Sequence, residues 1–226
     1  MTSKPNTIRV GNLPGIRRLP FYLNILHNFK KQGREIVSAV ALAETAGQPV
    51  PLVKKDIEMT GASGKTGVGY SVDALISEIE NFLGWNNPND AILVGVGNLG
   101  SAILGYEGFR KHGLNFVAAF DNRLDRVGTR SNNVDVLPME KMADIIARLH
   151  IRTAVVTVPA EEAQLVADQL VVSGITCIWN FAPVMLSVPE RVLVQREDLS
   201  AGLAELLVRS RFNEIENGNG VHMANN

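Results

Sequence analysis

A single cysteine in 226 residues leaves no internal disulfide framework, and a reducing compartment is the expectation. The chain has no long apolar run, and a mean hydropathy of +0.07 speaks against a membrane span. Its first residues, MTSKPNTIRVGN, lack the basic start and apolar stretch of a secretory signal, so a cytoplasmic location is expected. No group of His, Cys, Asp and Glu carries metal-ligand spacing, so no metal is expected. Internal repeats are missing as well, which removes solenoids and propellers. What is there is 46% hydrophobic against 20% charged residues, enough apolar surface for a sizeable core in one large domain or two small ones.

The formal charge of −1 conceals a segregation. Residues 1–70 carry ten Lys and Arg against four Asp and Glu, a balance of +6, while residues 71–226 carry twelve against nineteen, a balance of −7. A basic block followed by an acidic one predicts a small polyanion-binding part joined to a part with another task. In the basic block, Leu19, Tyr22, Leu23, Leu26 and Phe29 recur at helical spacing over residues 17–30, and Gly33 ends that helix. Ser38 caps a second helix through Ala46, Gly47 stops it, and Pro51 opens a third that carries Lys54 and Lys55. Four glycines in residues 61–70 favour a turn or hairpin in a wing-like position. A fourth helix runs from Val72 to Leu83 behind Ser71, and GWNNPND over 84–90 reads as a linker. The expected division is therefore 1–84 and 85–212, with a polar tail at 213–226 that reads as disordered.

Beyond the linker, apolar strands near 91–94, 116–120, 153–158 and 176–179 alternate with helices near 99–112, 140–149 and 160–172, a βαβ pattern. A further strand is placed at Leu193 and a last amphipathic helix at 198–212. Between the first strand and its helix lies Gly95-Val96-Gly97-Asn98-Leu99-Gly100, the context in which such glycines let main-chain amides approach a pyrophosphate. The second strand ends at Asp121, whose carboxylate can take both ribose hydroxyls and would repel a 2′-phosphate, favouring NAD over NADP. Thr157-Val158-Pro159-Ala160 and Asn180-Phe181-Ala182-Pro183 follow later strands, where they wall a nicotinamide pocket or simply end the strands. Tyr106 packs or faces that nicotinamide. No histidine follows a strand and Cys177 lies inside one, so no catalytic residues are assigned and no turnover is expected.

Taken in order, IRRLPFYL at 16–23, VKKD at 53–56, GKTGVGY at 64–70, GVGNLG at 95–100, AFD at 119–121, VPA at 158–160 and NFAPV at 180–184 resemble the Rex family of bacterial redox-sensing repressors, over roughly residues 8–212. The resemblance implies an α/β protein with an N-terminal winged-helix domain and a C-terminal Rossmann domain, a doubly wound parallel sheet. It implies a homodimer whose last helix, 198–212, is swapped between subunits. NADH and NAD are the implied cofactors and palindromic operator DNA the implied partner, with NADH closing the dimer and releasing DNA; no membrane is involved. Under it the DNA contacts fall to Arg17, Arg18, Ser38, Lys54, Lys55, Lys65 and Tyr70, and Tyr106 and Asp198 become partners in the switch.

The chain departs from the family pattern at Lys54, where an arginine is usual, at Met59 and Thr60, where two aromatics are usual, at Thr66, an arginine of the wing, and at Asn24, an arginine of the first helix. Two other readings stay open at this point: a Rex-like nucleotide binder without operator recognition, and an NAD-dependent oxidoreductase with an N-terminal appendage.

Overall fold

The computed structural model describes residues 13–220, with side chains through residue 212. The chain folds as two compact units, and the boundary falls between Pro88 and Asn89 rather than after residue 84. The reason is local. Trp85 donates its amide to the Glu80 carbonyl at 3.0 Å and packs against the first unit's core, and the Asn86 side chain donates to that of Asn81 at 2.7 Å, so the start of the expected linker belongs to the first unit.

That unit runs α1 (Leu13–Lys31), β1 (Ile36–Val37), α2 (Ala39–Ala46), α3 (Val50–Met59), β2 (Tyr70–Ser71) and α4 (Val72–Leu83). Its helix ends follow their caps. The Ser38 hydroxyl accepts from the Ala41 amide at 3.0 Å, the Ser71 hydroxyl accepts from the Ala74 amide at 3.4 Å, and Gly47 and Gly84 end their helices in the left-handed region. The glycine segment forms a narrow loop closed by a bridge between Lys65 and Gly69. Gly69, at φ +113°, lies so near β1 that a Cβ would stand 2.5 Å from the Val37 carbonyl oxygen.

The second unit holds β3 (Asn89–Val94), α5 (Asn98–Gly105), α6 (Glu107–Lys111), β4 (Leu114–Asp121), β5 (Arg130–Ser131), β6 (Val134–Pro138), α7 (Met142–Leu149), β7 (Thr153–Val156), α8 (Ala160–Val172), β8 (Cys177–Asn180), β9 (Leu193–Arg196) and α9 (Leu199–Gly220). The sheet order is β5-β6-β4-β3-β7-β8-β9, with every pair parallel except β5 with β6. Without that edge strand the order is the doubly wound one, reversing direction between β3 and β7. Apolar side chains fill both faces, Ile92, Phe120 and Val156 on one and Leu93, Ala119 and Val155 on the other.

Three features differ from the sequence reading. The β5–β6 hairpin has no counterpart in it; Asn132 and Asn133 make the two-residue turn, both at positive φ. The helix expected over 99–112 breaks at Tyr106, which is extended at φ −82° and ψ 98° between Gly105 and Gly108. The tail expected to be disordered from 213 continues α9 to Gly220, because helical main-chain bonding propagates one residue at a time once an apolar segment has nucleated it. Residues 221–226 of that tail lie outside the described residues.

Candidate functional site

The crevice of an open α/β sheet forms where neighbouring strands send their connections to opposite sides, here beyond the carboxyl ends of β3 and β7. The three glycines after β3 do different work there. Gly95 is at φ +97°, and a Cβ would stand 2.9 Å from the Thr157 carbonyl carbon. At Gly100 a Cβ would collide with the Gly95 carbonyl oxygen, so this glycine lets α5 pack on the loop. Gly97 has nothing within 4 Å of the same position: its missing side chain leaves open space at the first turn of α5. The Thr157 hydroxyl, 2.7 Å from the Gly95 carbonyl oxygen and 3.1 Å from that of Val94, ties the β7 loop to the glycine loop.

Asp121 ends β4 and is 6% exposed. One carboxylate oxygen accepts from the Val96 amide at 2.7 Å and the other from the Arg123 amide at 2.9 Å, so the acid is fixed across the glycine loop with lone pairs to spare. Arg123 sets its guanidinium fork on Asp125 at 3.1 and 2.8 Å, and this pairing holds the Asp125 carboxyl below its ordinary range. Asn122 reaches Glu162 of α8 at 3.4 Å.

These groups border a cleft of about 910 Å³, roomy enough for a dinucleotide. It gathers Gly95, Gly97, Leu99, Asp121, Thr157, Val158, Pro159 and Phe181 from the expected set. The other residues of that set lie elsewhere. Val96 is buried with its amide on Asp121, and Asn98 opens onto a neighbouring recess with Ser101 and Arg126. Asn180 is fully buried and engaged within its own loop: its amide nitrogen donates to the carbonyls of Ala182 and Val184, and its oxygen accepts from the Ala182 amide. It therefore shapes the loop that carries Phe181, with Ala182 buried and Pro183 exposed beside it. Tyr106 is 59% exposed and meets Phe109 edge-on at 4.9 Å. Asp198 caps α9, accepting from the Ser200 amide and hydroxyl at 3.0 and 2.6 Å, bonds that hold its carboxyl below the usual range.

Sequence reasoning missed the α8 wall of the cleft, Glu162, Leu165, Val166 and Gln169. Their spacing is that of one helix face, but two of the four are polar, so the stripe does not read as a buried one.

In the first unit Arg17, Lys54, Lys55 and Lys65 are exposed, whereas Arg18 is not available as expected. Its guanidinium grips both oxygens of buried Asp56 at 2.7 and 2.8 Å, and the Tyr22 hydroxyl donates to the same carboxylate at 2.9 Å. A charge this well matched ties α1 to α3 and is poorly placed for a phosphate. Asp56 raises the Arg18 pKa, and burial, followed by the bond to Asp56, pushes Tyr22 up to about 12. Ser38 is engaged as a cap, and the Tyr70 ring packs beside Gly64. Met59 packs at the edge of the core, and buried Thr60 donates to the Ile57 carbonyl at 2.7 Å, closing α3.

Comparison with known proteins follows the same division. A family profile described as "CoA binding domain" matches residues 86–184, and one described as "Putative DNA-binding protein N-terminus" matches residues 13–57. The "Redox-sensing transcriptional repressor Rex" of Treponema denticola is 39% identical over 198 residues, covering 88% of this chain and 94% of the relative. That of Bacteroides fragilis is also 39% identical, over 203 residues, covering 90% and 92%. The crystal structure of RSP with β-NAD+ and operator DNA superposes at TM-score 0.83 with 34% identity, covering 97% of this chain and all of that one. RSP with β-NADH superposes at 0.82 with 33% identity, covering 95% of this chain and all of that one.

Proposed function

The chain belongs to the Rex family of redox-sensing transcriptional repressors, and from that premise we propose how its own residues carry out the task. It is a regulator and not an enzyme, binding NAD and NADH in the second unit and operator DNA through the first. Gly97 and the amides at the start of α5 receive the pyrophosphate, Asp121 takes the adenosine ribose hydroxyls, and Phe181 with the Thr157 loop borders the nicotinamide half of the crevice. Arg123, paired with Asp125, is turned to a carboxylate rather than to a 2′-phosphate, which keeps the preference for NAD. The observation that carries the reading is Asp121, fixed by two main-chain amides at the carboxyl end of β4, the strand beside the β3 glycine loop.

DNA contact rests on Arg17, Lys54, Lys55 and Lys65, whose side chains are exposed on α1, α3 and the wing, and on a palindrome matched by two copies of the chain. The exposed leucines of α9, Leu199, Leu203, Leu206 and Leu207, supply the apolar face a swapped helix buries in its partner. Reduction removes the positive charge of the nicotinamide, and this is the difference the pocket reads. A population shift from 1:99 to 99:1 needs about 5.5 kcal/mol of differential affinity for the closed dimer. We place its action in the cytoplasm, where its DNA is; among the described residues no helix is long and apolar enough to cross a membrane.

The test is a titration of the protein–DNA complex with NADH and then with NAD at fixed salt. Release by NADH at concentrations where NAD leaves the complex intact is expected, and equal behaviour of the two would refute the reading.

A further inference from the structure

A line of aromatic rings starts at the cleft wall, and one of its members is hydrogen-bonded to the root of the last helix. Phe181, on the cleft, meets Trp179 with ring centroids 4.9 Å apart, Trp179 meets Phe109 edge-on at 5.2 Å, and Phe109 meets Tyr106 at 4.9 Å. Such edge and tilted contacts are directional, so a ring that turns obliges its neighbour to turn or to lose contact. The line has one polar branch. Trp179 donates its indole N–H to a carboxylate oxygen of Glu197 at 3.1 Å. Glu197 is also held through its main chain, its amide donating to the Asn180 carbonyl at 2.8 Å, and the Gln195 side chain donates to the same carboxylate oxygen at 3.3 Å. The next residue, Asp198, caps α9 and lies 3.7 Å from Arg196. Glu197 is therefore the last residue anchored to the sheet before the helix that carries the exposed leucines begins.

We propose that Trp179 and Glu197 are positioning residues for the response to nucleotide, linking the Phe181 wall of the cleft to the first turn of α9. The inference rests on the repressor reading, since it concerns the coupling between nucleotide and DNA and not the affinity for either alone. A nicotinamide ring seated against Phe181 acts on Trp179 through ring contact, and Trp179 acts on Glu197 through one charge-assisted hydrogen bond. Because Glu197 precedes the cap directly, a change in its anchorage changes the direction in which α9 leaves the sheet. The side chains involved lie apart from the groups assigned to pyrophosphate and ribose, so they can be altered without touching those contacts.

The test compares the wild-type protein with Trp179→Phe, Glu197→Ala and Glu197→Gln. For each, the dissociation constant for a duplex selected by the wild-type protein from a randomised pool is measured with and without saturating NADH, at fixed salt. The affinity for NADH alone is measured by calorimetry, and a thermal melt confirms folding. Trp179→Phe keeps an aromatic ring, a smaller one, and loses the N–H; Glu197→Ala removes the acceptor; Glu197→Gln keeps a carbonyl acceptor. The expected result is that the first two lower the NADH-dependent ratio of DNA affinities by about fivefold or more while NADH affinity alone stays within about twofold, and that Glu197→Gln retains the ratio. The proposal is overturned if Trp179→Phe and Glu197→Ala keep the wild-type ratio, or if NADH affinity alone falls as far as the ratio does. A wild-type ratio of one is a different failure: it removes the repressor reading itself, and this proposal with it.

Discussion

At the scale of single residues, the glycine loop separates packing from binding. Gly97 and Gly100 belong to one motif in the sequence, yet only at Gly97 would a methyl group enter open space. Gly97→Ala should leave thermal stability nearly unchanged, within about 0.5 kcal/mol, and weaken NADH binding tenfold or more, about 1.4 kcal/mol, when measured by calorimetry. Gly100→Ala should instead lower the melting temperature of the whole second unit, because its methyl group meets main chain that cannot give way. A second residue-scale prediction concerns Tyr22, whose pKa rises from 10.0 in the unfolded chain to about 12 in the fold. A raised value means the proton is held more tightly in the folded state, so that contribution to stability is complete below pH 10 and is lost as pH climbs through about 12. Denaturant melts across that window should show a falling stability that Tyr22→Phe flattens. The Asp56 cluster behind this effect was not legible: Arg18 and Asp56 are 38 residues apart, and an arginine in a basic block looks no different from its exposed neighbours.

At the scale of elements, the helices bounded by caps were legible almost to the residue. Ser71 and Gly84 bracket α4 as a side-chain acceptor and a left-handed stop, and both signals act within a turn of the helix they limit. Elements held by a partner strand were not. β6 spans five residues of mixed exposure, and its pairing with β4 and β5 is what makes it a strand. The break at Tyr106 was hidden because residues on both sides of it continue a helical pattern. Helix α3 carries its own prediction. Lys54 and Lys55 are exposed cations, so Lys54→Ala together with Lys55→Ala should weaken DNA binding and reduce the slope of log affinity against log salt by about two. NADH affinity measured by calorimetry should not change.

At the scale of the whole molecule, the basic block lies wholly in the first folding unit, whose balance falls to +3 because α4 adds Asp73, Glu78 and Glu80, while the second unit carries −4 and the chain as a whole stays near neutrality. The apolar side chains that α9 exposes, from Leu199 to Phe212, need a cover that the described residues of one copy do not supply. If α9 is covered by a second copy as proposed, Leu203→Glu with Leu207→Glu should yield a monomer in sedimentation experiments and abolish binding to a palindrome, since a single copy reaches only one half-site. In the proposed function, coupling between nucleotide and DNA is likewise assigned to the assembly and not to either unit alone.

The sequence by itself determined what acts over a few residues: the caps, the left-handed stops, the glycine loop and the acid at the end of the second strand, because each is a local contest between side chain and main chain. Tertiary structure alone decided which polar side chains are free and which are engaged. Arg18 was taken up by Asp56, Asn180 by its own loop, and Glu197 by Trp179. The physical reason is that a hydrogen bond is worth most where burial has removed its competitor, water, and burial is set by which distant segments the fold brings together.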